Sequence, residues 1–125
     1  MANPNIAAVT TILGNSSSVS LTTTNATALC SNAASSNKVF KINTILVANI
    51  DGTNACDVTI NIYSAANLGG TATAIASTIS VPADSTLIVS DKTTSFYLLE
   101  NQSIGAIASV ANDLVVTASW EEINA

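Results

Sequence analysis

The chain has 125 residues, of which only 9% are charged, and eight acidic residues against three lysines give a formal net charge of −5. It contains no histidine and no arginine. It therefore lacks the usual base of nucleophilic catalysis and the clustered cations that neutralise nucleic-acid phosphates. No stretch approaches the roughly 20 apolar residues that span a membrane, and the N-terminus lacks the pattern of a signal peptide. The composition favours a structural or interaction protein over an enzyme.

The length predicts one domain over residues 1–125. Residues 1–5 are polar and predict an extended N-terminal arm, and residues 121–125 predict a C-terminal extension that follows the last strand. Much of the 48% hydrophobic content is alanine, which buries little apolar area. We therefore expect part of the stability of this protein to come from an oligomer or a larger assembly.

The first half of the chain reads as short apolar runs separated by turn residues. Residues 6–13 predict a first strand that stops at 14–16, and the Ser/Thr-rich stretch up to residue 29 predicts either two edge strands or a loop. Residues 38–50 predict the clearest strand, which becomes apolar on both faces at 45–47 and so favours a central position in a sheet. Residues 51–54 predict a hairpin turn, because Gly52 can adopt a positive φ.

The same rhythm continues to the end of the chain. In residues 56–63, Val58, Ile60 and Ile62 alternate with polar side chains, as in a half-buried strand. Further strands are predicted at 74–81, 86–90, 96–99, 104–110 and 114–120. Eight or nine short antiparallel strands without helical periodicity predict an all-β fold, a single antiparallel β-sandwich of immunoglobulin-like or jelly-roll-like type.

The search for chemistry finds no motif for a catalytic, cofactor-binding or metal site. Cys30 and Cys56 predict two reduced, half-buried thiols, with a disulfide as the alternative, and two cysteines without histidine cannot complete a zinc site. The carboxylates near predicted turns are typical turn and strand-end residues, and residues 51–57 do not match a calcium loop. No cofactor is predicted.

Three aromatic residues are candidates for an interface: Tyr63, Tyr97 and Trp120. Tryptophan is enriched at binding hot spots, but Trp120 also fits the end of a sandwich core, and we favour the core. Tyr63 stands at the end of a predicted strand, where we expect a surface or rim residue.

Five short stretches carry a resemblance to a known group of proteins. They read KVFKIN and VANIDGTN within 38–54, SVPADSTL at 80–87, YLLENQS at 97–103, and ASWEEI at 118–123. This chain resembles small virion structural proteins of tailed bacteriophages, especially those that infect cyanobacteria and other aquatic bacteria. The resemblance covers about residues 38–123 and implies no catalytic residue.

The resemblance implies a protein made in the host cytoplasm and located in the virion. Within the virion we expect a capsid cement or decoration protein, a homo-oligomer with a trimer favoured, whose partners are the major capsid protein or other virion proteins. A tail, neck or head-fibre protein of the same particle is the first alternative. A carbohydrate-binding adhesion module, stacking sugars on Tyr63, Tyr97 or Trp120, is the second. Neither nucleic acid nor membrane is an expected partner.

Overall fold

The structure, a computed structural model, describes residues 3–125. This part of the chain forms nine strands and a short 3₁₀ helix, Lys92–Thr94. The strands are β1 (Thr11–Ser20), β2 (Thr27–Asn32), β3 (Lys38–Asn49), β4 (Cys56–Ala65), β5 (Gly69–Val81), β6 (Thr86–Ser90), β7 (Phe96–Leu98), β8 (Gln102–Ala108) and β9 (Leu114–Asn124). The described residues contain no helix long and apolar enough to cross a membrane.

The strands form two antiparallel sheets, which confirms the predicted all-β sandwich. The first sheet has the order β1-β9-β3-β6, with β7 also paired to β3, and the second has the order β2-β8-β4-β5. Each sheet has four positions when β6 and β7 are counted as one interrupted strand, and most connections cross from one sheet to the other. This arrangement is that of a jelly roll and differs from the ABED and CFG sheets of an immunoglobulin domain.

The core lies between the sheets and is built from β-branched side chains of the central strands. Ile45 and Val47 of β3 are fully buried, as the apolar run at 45–47 predicts. They pair with Ala118 and Val116 of β9 in the first sheet. Across the sandwich, Val58, Ile60 and Ile104 contribute fully buried side chains from β4 and β8 to the same cluster. The longest alternating patterns in the sequence therefore correspond to the centre of each sheet.

Both ends of the chain differ from the prediction. The first strand does not stop at 14–16, because β1 pairs with β9 without interruption from Thr11↔Asn124 to Ser20↔Val115. Residues 121–124 are not a terminal extension, because they continue β9 between β1 and β3. Hydrogen bonds to a neighbouring strand compensate for the weak strand propensity of serine and glycine at these positions.

The N-terminal arm predicted for residues 1–5 lies partly outside the described residues, which begin at Asn3. From there the chain contacts the sandwich: Pro4 is buried, and the N–H of Glu100 donates to the side-chain oxygen of Asn3 at 3.3 Å. The Asn5 side chain accepts from the N–H of Ala7 at 3.0 Å. Residues 3–5 therefore lie against the sandwich and do not extend freely.

Residues 51–54 form a turn, but not the predicted hairpin, because β3 and β4 belong to different sheets. Buried Asn49 holds the crossing: its amide donates to the carbonyl oxygens of Asn54 and Val81 at 3.0 and 2.9 Å. Its side-chain oxygen accepts from the N–H of Asp51 at 2.9 Å. Asp51 in turn accepts from the N–H of Thr53 at 2.9 Å, so this carboxylate serves the turn.

Candidate interface at the two edges of the sandwich

The three aromatic candidates lie in different surroundings. Tyr97 is 44% exposed on β7 and contributes to a groove described below. Tyr63 is only 8% exposed, so its expected rim position is wrong. Its ring covers Gly105 of the neighbouring strand, where a β-carbon would lie 2.9 Å from Tyr63 Cε1. The close approach of this ring requires glycine at position 105.

Trp120 lies on the core side, as favoured from the sequence. It is partly buried against the core cluster, and its ring stacks on Phe40 with centroids 6.0 Å apart and an interplanar angle of 27°. Its indole Nε1 is buried and makes no hydrogen bond within residues 3–125. Burial of the ring and its stacking on Phe40 account for its position without a partner molecule.

A groove of about 580 Å³ opens at the edge where β5 faces β6 and β7. Apolar side chains form most of its wall, and a few polar groups complete it. The lining residues are Ile62, Ile75, Val89, Ser90, Thr94, Phe96, Tyr97, Leu99 and Gln102. In volume and lining the groove falls within the range of ordinary binding sites, but it is open along one side of the sandwich.

The groove exists because the two sheets end unequally at this edge. β5 has thirteen residues, whereas β6 has five and β7 has three. Ile79 lies opposite Val58 of β4, whose side chain is in the core, so Ile79 points to the inner side of its sheet. It is nevertheless 41% exposed, and Ile75 in the groove wall is 40% exposed. The first sheet is too short here to cover them.

The 3₁₀ helix Lys92–Thr94 causes the break between β6 and β7. Asp91 caps it, with its carboxylate accepting from the N–H of Thr93 at 2.9 Å, and the Thr94 side chain accepts from the N–H of Asp91 at 3.1 Å. Hydrogen bonds from the side chain and N–H of Thr93 lower the pKa of the Asp91 carboxyl. This capping box holds the chain out of strand geometry and so leaves the groove uncovered.

At the opposite edge of the sandwich, the first sheet extends further than the second. Here β1, in the first sheet, has ten residues, and β2, in the second, has six with a bulge between Ala28 and Cys30. Val19 of β1 packs against the core, and Leu13 lies on the same face because it is six residues away. Leu13 is 52% exposed. The inner face of β1 is therefore uncovered near its start.

The edge strands carry no charged residue, although Asp91 and Lys92 lie between β6 and β7. β1, β2, β5, β6 and β7 contain no Asp, Glu, Lys or Arg, and the charged residues of the chain lie on the central strands β3, β4 and β9 or between strands. Soluble proteins usually protect edge strands with charges, especially lysine. Apolar side chains are exposed along these edges instead: Ile12 and Leu13 on one, and Ile75, Ile79, Ile88, Tyr97 and Leu99 on or next to the other.

Reactive or metal-binding groups do not define a site in the described residues. Cys30 and Cys56 are free thiols and fully buried, at 5% and 2% exposure, rather than half-buried as predicted. Burial, together with the negative charge of Glu122, raises the pKa of the Cys30 thiol to about 12. Within residues 3–125, no group of three or more His, Cys, Asp or Glu side chains is placed to hold a metal ion.

Sequence reasoning missed the groove and the exposed isoleucines beside it. The available signal was the absence of charge from β1 and from β5, which alternates small and β-branched residues over 70–76. That signal identifies an edge only when the sheet order is known, and the sheet order depends on contacts between distant segments.

Comparison with known proteins gives the fold. No protein-family model and no curated protein matches the chain. A solved structure described as Bacillus endospore appendages, a family of disulfide-linked pili, is similar with a TM-score of 0.51 and 19% identity over 91% of this chain and 88% of that one. An infectious bursal disease virus (Gx strain) structure gives a TM-score of 0.40 and 11% identity, and covers 90% of this chain and 33% of that one. The similarity to the appendage structure shows a shared fold.

Proposed function

We propose that this protein is a non-enzymatic structural subunit that works by docking its sheet edges into a larger assembly. The observation that carries the proposal is the placement of charge: the edge strands have none and expose isoleucine, leucine and tyrosine. Exposed strand edges of this kind recruit further strands. Burying them in an assembly removes both the unpaired backbone groups and the exposed apolar surface from water.

The assembly that the sequence favours is the particle of a tailed bacteriophage. The segments within 38–123 resemble small virion structural proteins, and the jelly roll is a fold that capsid proteins also use. As a capsid cement or decoration protein, favoured as a trimer, the subunit would bridge neighbouring copies of the major capsid protein. It would stabilise the shell by adding buried contact area.

The test is the amount of this polypeptide in purified particles relative to the major shell protein. Near-equimolar amounts support a shell cement, and particles that lack it should then release DNA at lower temperature. Unchanged thermal release would contradict the cement role. A far lower ratio assigns the protein to the tail, neck or head fibre, and absence from particles overturns the virion location.

A second candidate is a subunit of a surface fibre, favoured by the fold shared with the endospore appendage structure. That appendage is described as disulfide-linked. We propose no disulfide between subunits of this chain, because both of its thiols are buried. Filaments formed by the purified chain in the presence of a reducing agent would support this candidate. A carbohydrate-binding role has less support, because Tyr97 alone of the three aromatic candidates is exposed.

A further inference from the structure

The two edges of the sandwich have complementary outlines. At one edge the second sheet extends beyond the first, so β5 exposes its inner face at Ile75 and Ile79. At the other edge the first sheet extends beyond the second, so β1 exposes its inner face at Leu13. In the groove, β5 has no strand of the first sheet facing it. β1 is a strand of the first sheet whose inner face is exposed at Leu13.

We propose that β1 of one copy lies in the groove of the next copy, where it pairs with β6 and covers the inner face of β5. This contact, called the joint below, is a heterologous interface between copies of the chain. One copy contributes β1 and the next contributes the groove. It rests on the proposed function and specifies the partner as a second copy and the surfaces as β1 and the β5–β6 groove.

Strand directions agree with this joint. β1 pairs antiparallel with β9, β9 with β3, and β3 with β6, so β1 runs opposite to β6. A second copy placed beside the first in the same orientation therefore presents β1 antiparallel to β6. The second sheet has the same property, because β2 runs opposite to β5 through β8 and β4. Both sheets continue across the joint without a reversal of direction.

The free backbone groups of β1 are also available. The N–H of Leu21 donates to the carbonyl of Leu114 at 2.9 Å, in the same register as the β1–β9 pairs. Because hydrogen-bonded and non-hydrogen-bonded pairs alternate in an antiparallel ladder, the N–H groups of Ser16 and Ser18 point away from β9. The side chains of Ser18 and Thr117 hydrogen-bond at 2.9 Å, consistent with the short spacing of a non-hydrogen-bonded pair.

The area that the joint buries is that of a stable complex. β1 with its ten residues spans about 33 Å, and two sheets about 10 Å apart with their outer side chains are about 20 Å thick. Such an edge covers about 660 Å² on each copy, or about 1,300 Å² in total. Stable interfaces bury about 1,200–2,000 Å². No charged side chain on β1, β2, β5 or β6 opposes the contact.

Because its two sides differ, the joint propagates from copy to copy. It produces a ring when the rotation between copies closes and a filament when it does not. A closed ring of three copies would be the trimer expected for a cement protein.

The test uses two variants that each block one side. Ser16→Pro removes an N–H that β9 does not use and places the proline ring where the next strand would pair. Ile79→Lys puts a charge at the wall of β5 that β1 would cover, and the lysine reaches water in the free protein. The matched controls are Ser16→Ala and Ile50→Lys, since Ile50 is an exposed isoleucine between strands.

We expect the unmodified chain and both controls to form oligomers in sedimentation experiments, and Ser16→Pro and Ile79→Lys each to be monomeric and folded. Mixed together, these two variants should form a 1:1 heterodimer, because each retains the side that the other lacks. Three results overturn the joint: a monomeric unmodified chain, blocked variants that still oligomerise, or a mixture that stays monomeric. A chain that is monomeric alone but abundant in particles would retain the proposed function and refute only the joint.

Discussion

Asn49 provides the sharpest test of how the two sheets are joined. This asparagine is 3% exposed, at the end of β3 where the chain leaves the first sheet for the second. We predict that Asn49→Ala strongly lowers the free energy of unfolding, although it removes only a small side chain. The reason is that its amide satisfies three backbone groups at once, on Asp51, Asn54 and Val81.

The magnitude follows from those three hydrogen bonds. The bonds to Asp51 and Asn54 contribute about 1 kcal/mol each, and leaving the buried Val81 carbonyl without this donor costs about 1–3 kcal/mol. We therefore expect a loss of about 3–5 kcal/mol, a large part of the roughly 5–15 kcal/mol that stabilises a domain. Asn49→Asp should cost at least as much at neutral pH, because a carboxylate has no N–H to donate to the carbonyl oxygens of Asn54 and Val81.

Urea unfolding followed by circular dichroism measures the difference, provided that the slope with denaturant is unchanged. Asn25→Ala is the matched control, because Asn25 lies exposed between β1 and β2, and it should change stability by less than about 0.5 kcal/mol. A loss below about 1 kcal/mol for Asn49→Ala would refute the argument that this side chain stabilises the connection between β3 and β4.

Two further predictions concern the core. In the unfolded chain the Cys30 thiol ionises near 9.0, whereas in the folded protein its pKa is about 12. The free energy of unfolding should therefore fall as pH rises from about 9 towards 12, and Cys30→Ala should flatten this dependence; equal slopes would contradict it. Trp120→Phe should cost less than about 1.5 kcal/mol because it removes a buried N–H without a partner. Trp120→Ala should cost about 3 kcal/mol, and similar losses in urea unfolding would contradict this.

The parts of the fold that could be predicted are those set by local patterning. The strand expected at 86–90 is β6 to the residue, because the turn before it is encoded by Pro82, whose carbonyl accepts from the N–H of Ser85 at 3.2 Å. The central position of 45–47 followed from apolar residues on both faces. In each case the residues that determine the structure lie within a few positions of it.

The parts that could not be predicted depend on distant pairing. Nothing in the serine run of β1 indicates a ten-residue strand, since β9 supplies its hydrogen bonds from the other end of the chain. The turn at 51–54 has hairpin composition, but Asn49 directs the next strand into the other sheet through contacts with Val81. Tyr63 is buried because Gly105, forty-two positions later, leaves space for its ring.

The placement of small side chains links the core to assembly. Alanine was expected to weaken the core, yet the largest fully buried side chains are mostly isoleucine, leucine and valine, whereas Ala72 and Ala74 lie exposed on β5. Ser16 and Ile79, the positions substituted to block each edge, are exposed and lie outside the buried core cluster. It follows that variants that block an edge should remain folded, which makes a loss of association distinguishable from a loss of structure.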